Sequence, residues 1–104
     1  MAKDFKEITQ DISKYVAELK NNIPEVMAGF NSMSQAATKD AVLDKKTKEL
    51  IALAIGVSQR CDGCIGFHTK ALAKLGATKE EVAETLGMTI YMGGGPSLMY
   101  AADA

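Results

Sequence analysis

Apolar residues in this chain recur three and four positions apart almost from end to end, which is the spacing of a helix face and not of a strand. Phe5, Ile8, Ile12, Tyr15, Val16 and Leu19 make residues 4–20 an amphipathic helix with one face for burial. Asn21-Asn22 interrupts it. Pro24 suits the first turn of a second helix, where its missing N–H has no partner to lose, and that helix carries Val26, Met27, Phe30 and Met33 before fading near Ala37 or Thr38. A third starts at a good N-cap, Asp44, and runs into Leu50 to Val57, a segment apolar on every side and so expected at the centre of the domain. A fourth covers roughly Asp62 to Leu75 and stops at Gly76. Thr78-Lys79-Glu80-Glu81 has the form of a capping box, launching a fifth through Val82, Leu86 and Ile90. Gly93-Gly94-Gly95 before Pro96 breaks that helix, and a short one follows from Ser97 to Ala102. No segment alternates with period two between turn signals. The expected fold is all-α, five or six helices in a single domain over residues 1–104, with no repeat, low-complexity tract or linker.

A chain of 104 residues that is 47% hydrophobic is generously apolar for its size, because so short a chain hides only about 60 to 65% of its extended surface. Self-association would relieve the excess. Twelve basic against thirteen acidic residues leave a net charge of -1 with no basic tract, which argues against nucleic acid as a partner. The longest apolar run, Leu50 to Val57, is far short of the roughly 20 residues that cross a bilayer. Met-Ala-Lys-Asp-Phe-Lys-Glu at the start lacks the basic-then-apolar layout of a signal peptide. The expected location is a reducing cytoplasm, where a structural disulfide is not the first reading of a cysteine pair.

That pair is Cys61 and Cys64, the only cysteines, followed four residues later by the only histidine, His68. On a helix the three form a column along one side. Cys61 falls at the helix start, where free amides and the positive end of the dipole favour a thiolate. Cys64 shares that bias and has His68 one turn below as a base for its proton. Cα atoms at i and i+3 in a first turn lie about 5 Å apart, within disulfide reach. So small a loop adds little stability, and the bond makes more sense as one that opens and closes. Gly63 and Gly66 leave little bulk there, so an incoming thiol or peroxide would have room to approach.

Glu49, eleven residues, Cys61-Asp62-Gly63-Cys64, then Ile65-Gly66-Phe67-His68: this E-x11-C-x-x-C-x3-H pattern resembles the core of the alkylhydroperoxidase D-like group within the carboxymuconolactone decarboxylase superfamily. The likeness covers roughly residues 40 to 100. The resemblance implies an all-helical subunit assembling as a homo-trimer or homo-hexamer, with thiol-dependent peroxidase or disulfide reductase activity and no cofactor. It implies that Cys64 attacks the peroxide, that Cys61 resolves the resulting sulfenic acid to a disulfide, and that His68 and Glu49 relay the proton. The substrate would be a hydroperoxide or a disulfide, and the electron donor a dithiol, lipoyl or thioredoxin-like. One position departs: the best-studied alkylhydroperoxidase D proteins have a histidine of the relay immediately before the second cysteine, where this chain has Gly63.

Other readings of the same residues stand beside this one. Two cysteines can pack as small hydrophobes. Cys61, Cys64 and His68 with Glu49 or a water could make a zinc site, although structural zinc usually draws on two separated pairs. A thioredoxin-like motif would need a preceding strand, which the helical pattern denies. Glu49 could pair with Lys45 or Lys46 on a solvated face; beside Leu50 to Val57 it would instead be buried and suited to handling protons. A decarboxylase-like enzyme that does not use the thiols, or a zinc- or partner-binding module, are the alternatives in function. Met88, Met92 and Met99 fit core and subunit contacts, the Gly93 to Gly95 run fits close helix approach at a subunit interface, and Tyr91 and Tyr100 could line a substrate entrance.

Overall fold

The computed structural model describes residues 3–104. They form six helices and no strand: α1 (Phe5–Asn22), α2 (Pro24–Thr38), α3 (Lys45–Ser58), α4 (Asp62–Lys74), α5 (Lys79–Gly93) and α6 (Gly95–Asp103). The starts follow from local chemistry. Asp4 accepts from the Glu7 amide at 3.1 Å and Asp44 from that of Thr47 at 2.7 Å, each satisfying a first-turn donor. At α5 the capping box is complete: Thr78 Oγ1 accepts from the Glu81 N–H at 3.1 Å, and Glu81 Oε1 accepts from the Thr78 N–H at 2.8 Å. Lys46 of α3 reaches the same carboxylate at 2.8 Å. Its ammonium, helped by the Thr78 amide, holds the Glu81 carboxyl below the usual carboxylate range.

Leu53 and Val57 of α3, Ile65 and Leu72 of α4 and Ala101 of α6 are the buried core, with Leu50, Val82, Leu86, Ile90 and Tyr100 packed against it. The α3–α4 crossing is tight because Gly56 lets the helices approach: a Cβ there would stand 2.9 Å from Cys64 Cβ. Helix α1 lies along α4 in the same way, since a Cβ at Gly63 would stand 2.9 Å from Ile12 Cδ1 and one at Gly66 would run into Thr9.

Four expectations need correction. The Leu50 to Val57 segment is not central on every side: Leu53, Gly56 and Val57 are buried, but Ile51 and Ile55 face outward and are exposed. Met88, Met92 and Met99 are likewise exposed in the single chain and take no part in its core. Gly93 serves contact within the chain, because a side chain there would collide with the buried Ser97, and α5 runs through it so that Gly94 alone, with φ 76°, makes the break. Finally, the room left by Gly63 and Gly66 is taken up in part by α1, whose Ile12 lies against Gly63 and whose Thr9 lies against Gly66.

Helix α2 has no buried residue and touches only α1 and α3. Val26, Phe30 and Met33 are 65%, 57% and 61% exposed, and the distal half of α1 adds Tyr15, Val16 and Leu19. The chain exposes 7225 Å², whereas a compact chain of its 11.1 kDa mass exposes about 5,700 Å². The excess lies in apolar helix faces that the chain does not cover itself.

If the α3–α4 contact sets the fold, Gly56→Ala should lower stability by about 1–3 kcal/mol through overpacking. Gly87→Ala, where nothing lies within 4 Å of the added Cβ, should cost nothing or stabilise. Urea unfolding of both variants checks this, and equal midpoints would contradict it.

Candidate functional site

Cys61 is the N-cap of α4, and its Sγ accepts from the Cys64 N–H at 3.2 Å. A sulfur thus occupies the place that an aspartate oxygen takes in α1 and α3. The arrangement aims the Cys64 amide at the Cys61 sulfur, which stabilises negative charge there when the pair is reduced. In this structure Cys61 and Cys64 are joined as a disulfide with a Cα–Cα distance of 5.2 Å, close to the spacing that helix geometry dictates. Both residues are half-buried. Cys64 is pinned from behind by Gly56, and the turn between the cysteines is covered by Ile12.

One turn further along α4, His68 meets Glu49 of α3, with Nδ1 2.5 Å from Oε2. Glu49 is 5% exposed, and a carboxylate so buried requires a partner. His68 supplies it, while its own side chain keeps 29% exposure. With Nδ1–H donating to the carboxylate, the ring is held in the tautomer whose Nε2 is free to take a proton. That atom belongs to the face of α4 that carries Cys64, four residues earlier. Glu49 does not pair with Lys45 or Lys46 on a solvated face; Lys46 turns to Glu81.

The four sequence-selected residues therefore converge where α3 crosses α4: the cysteines at the start of α4, His68 one turn in, Glu49 beneath it. With Cys61 and Cys64 bonded to each other, no group of three or more His, Cys, Asp and Glu among the described residues is arranged to hold a metal ion. Tyr91 lies away on the exposed face of α5, and Tyr100 packs on the core with Lys3 Nζ 4.8 Å over its ring. Two participants escaped the sequence reading. Gly56 looked like filler in an apolar run, its one signal being a glycine in mid-helix, where it is disfavoured. Lys3, 59 positions from Asp62, bonds that carboxylate at 2.8 and 3.0 Å and so fixes the charge beside Cys61.

Comparison with known proteins gives the chain its family and its fold relatives. The model of the carboxymuconolactone decarboxylase family matches residues 24–104. An uncharacterised protein of Cupriavidus necator is 40% identical over 104 residues, covering 100% of this chain and 92% of its own. The crystal structure of a carboxymuconolactone decarboxylase family protein from Legionella pneumophila, solved in its apo form, superposes with a TM-score of 0.93 at 62% identity, over 95% of this chain and 88% of that one. A Thermotoga maritima protein superposes with a TM-score of 0.72 at 30% identity, over 94% and 86%.

A buried carboxylate that has lost its partner is costly, so His68→Ala should destabilise by about 2–3 kcal/mol, at the low end for a buried pair because His68 is partly exposed. Adding Glu49→Gln to that variant should restore much of the loss. Chemical denaturation of the single and double variants measures the coupling, and additive effects would mean that the contact carries no energy.

Proposed function

The chain belongs to the carboxymuconolactone decarboxylase family, and we propose that within it this protein is a thiol-dependent oxidoreductase that reduces hydroperoxides, or disulfides, through Cys64 and Cys61. The observation that carries the reading is the four-residue disulfide at the start of α4, one turn from a histidine oriented by a buried carboxylate. A pair bonded within one helical turn closes a loop too small to add much stability. Its plausible use is therefore reversible.

The steps follow from the residues. His68 Nε2, oriented through Nδ1 by Glu49, takes the Cys64 thiol proton directly or through water. The Cys64 thiolate attacks the distal peroxide oxygen, the O–O bond breaks, the alcohol leaves with the proton, and Cys64 becomes a sulfenic acid. Cys61 attacks that sulfur, water departs, and the disulfide forms. A dithiol donor, lipoyl or thioredoxin-like, takes up the disulfide by exchange and returns two thiols. The expected setting is the reducing cytoplasm. With Gly63 where the best-studied alkylhydroperoxidase D proteins have a histidine, the relay has only His68 and Glu49.

Self-association belongs to the same reading, as a homo-trimer or homo-hexamer. Its support is the excess surface: about 1,600 Å² beyond that of a compact monomer is more than one partner's share, about 800 Å², of a standard interface. A second copy suits it because α2, with Glu25 its only charged residue, is apolar and depleted of charge as interface cores are.

Reduced wild-type protein given one equivalent of an organic hydroperoxide should lose two hydrogens from its intact mass, and Cys61→Ser should gain one oxygen. Cys64→Ser should abolish turnover, and His68→Gln should slow it by about 100-fold. Full activity in Cys64→Ser would sink the reading, and turnover that survives alkylation of both thiols would favour a decarboxylase-like enzyme. Light scattering should give a multiple of the 11.1 kDa subunit. Phe30→Glu should shift it toward the monomer, and a wild-type monomer at micromolar concentration would refute assembly.

A further inference from the structure

Arg60 is the one non-glycine residue with positive φ among the described residues, at 57°. It stands between the end of α3 and Cys61. Its N–H donates to Val57 O at 3.1 Å, and the Cys61 N–H donates to Gly56 O at 2.9 Å. This paired ending requires a left-handed residue at the position Arg60 occupies. The end of α4 repeats it, with the Gly76 N–H donating to Ala73 O at 3.3 Å and the Ala77 N–H to Leu72 O at 3.0 Å. There the left-handed residue is Gly76, with φ 75°, which has no Cβ to clash. The chain uses glycine for this ending where no cysteine follows and arginine where one does. A side chain kept at a disfavoured backbone angle beside a reactive group points to a use for that side chain.

Its surroundings narrow the use. Arg60 is exposed, and among the described residues its guanidinium has no ion pair, hydrogen bond or aromatic partner. The carboxylates nearest the pair in sequence and space are already engaged, Asp62 with Lys3 and Glu49 with His68. A permanent cation with five donors in a planar fork, adjacent to Cys61, matches a carboxylate. We infer that Arg60 is a specificity-determining residue that binds a carboxylate flanking the sulfur atoms of the molecule with which Cys61 and Cys64 exchange electrons. This rests on the dithiol reading above. In the exchange the two protein thiols give up two electrons and two protons, the incoming disulfide takes them and leaves as two thiols, and no other reductant is needed for one turnover.

Pre-reduced protein, freed of reductant, is mixed with excess glutathione disulfide, which carries carboxylates, or with neutral bis(2-hydroxyethyl) disulfide. Acid-quenched intact mass then follows the loss of two hydrogens with time. Arg60→Gln should lower the ratio of the two second-order rate constants, acidic over neutral, by about tenfold, the effect of losing one charge-assisted contact. Arg60→Lys should recover part of it, and added salt should compress the wild-type ratio but not that of Arg60→Gln. Arg60→Gly should lower the ratio similarly while melting about 4 °C higher, because glycine accepts the left-handed angle. A ratio unchanged in Arg60→Gln overturns the inference and leaves the dithiol reading intact. A melting point no higher in Arg60→Gly removes its structural ground, and a wild type oxidised by neither disulfide overturns both.

Discussion

Everything at the candidate site hangs on the close crossing of α3 and α4. With Leu53 and Val57 facing Ile65 and Leu72, the two helices share the one fully buried layer of the chain. Gly56 lets that layer close until the α3 backbone touches the Cys64 side chain. Once the distance is set, Glu49 on one helix and His68 on the other can reach each other across it. A wider crossing would pull the buried carboxylate away from its partner, which is costly. The core and the polar pair are therefore one constraint. Packing density brings the helices together, and the Glu49–His68 hydrogen bond forms at that separation.

The helices themselves were legible because each carries its own punctuation. Asp44, Thr78 with Glu81, and Gly76 act through bonds made within three or four residues, so no tertiary knowledge was required to place α3, α5 and the end of α4. The column of Cys61, Cys64 and His68 followed from helical period alone, whereas Glu49 came from the family resemblance, since its own surroundings in the sequence suited a solvated pair with Lys45 or Lys46 equally well. What misled was outward-facing hydrophobicity. Ile51 and Ile55 sit in a run that reads as fully buried, yet within one chain they stay about half exposed. Periodicity reports that a face is apolar, not which molecule buries it, so α1, α2 and α5 looked like core helices when much of their apolar surface is left free. The glycines misled for the opposite reason. A residue without a side chain signals closeness but not the identity of the neighbour, and Gly63, Gly66 and Gly93 all turned out to face their own chain.

Gly63 is the position where this protein departs from the best-studied proteins that it resembles, and the fold supplies the reason. Ile12 of α1 occupies the space into which any side chain at 63 would project. A side chain there would press on that terminal methyl, so Ile12 would have to swing aside to admit a histidine. The first helix thus lies where a relay group would project. It covers the turn between the cysteines on one side, and Gly56 of α3 closes off Cys64 on another. Ser58, Gln59 and Arg60, which lead into Cys61, are exposed. Losing a proton carrier and gaining a covered flank push the same way: they place more of the burden of proton transfer on the Glu49–His68 pair and narrow the direction from which a partner molecule can come. Helix α1, which lies in the first forty residues where the likeness to those proteins is weaker, thus bears on a site whose four residues all come from α3 and the start of α4.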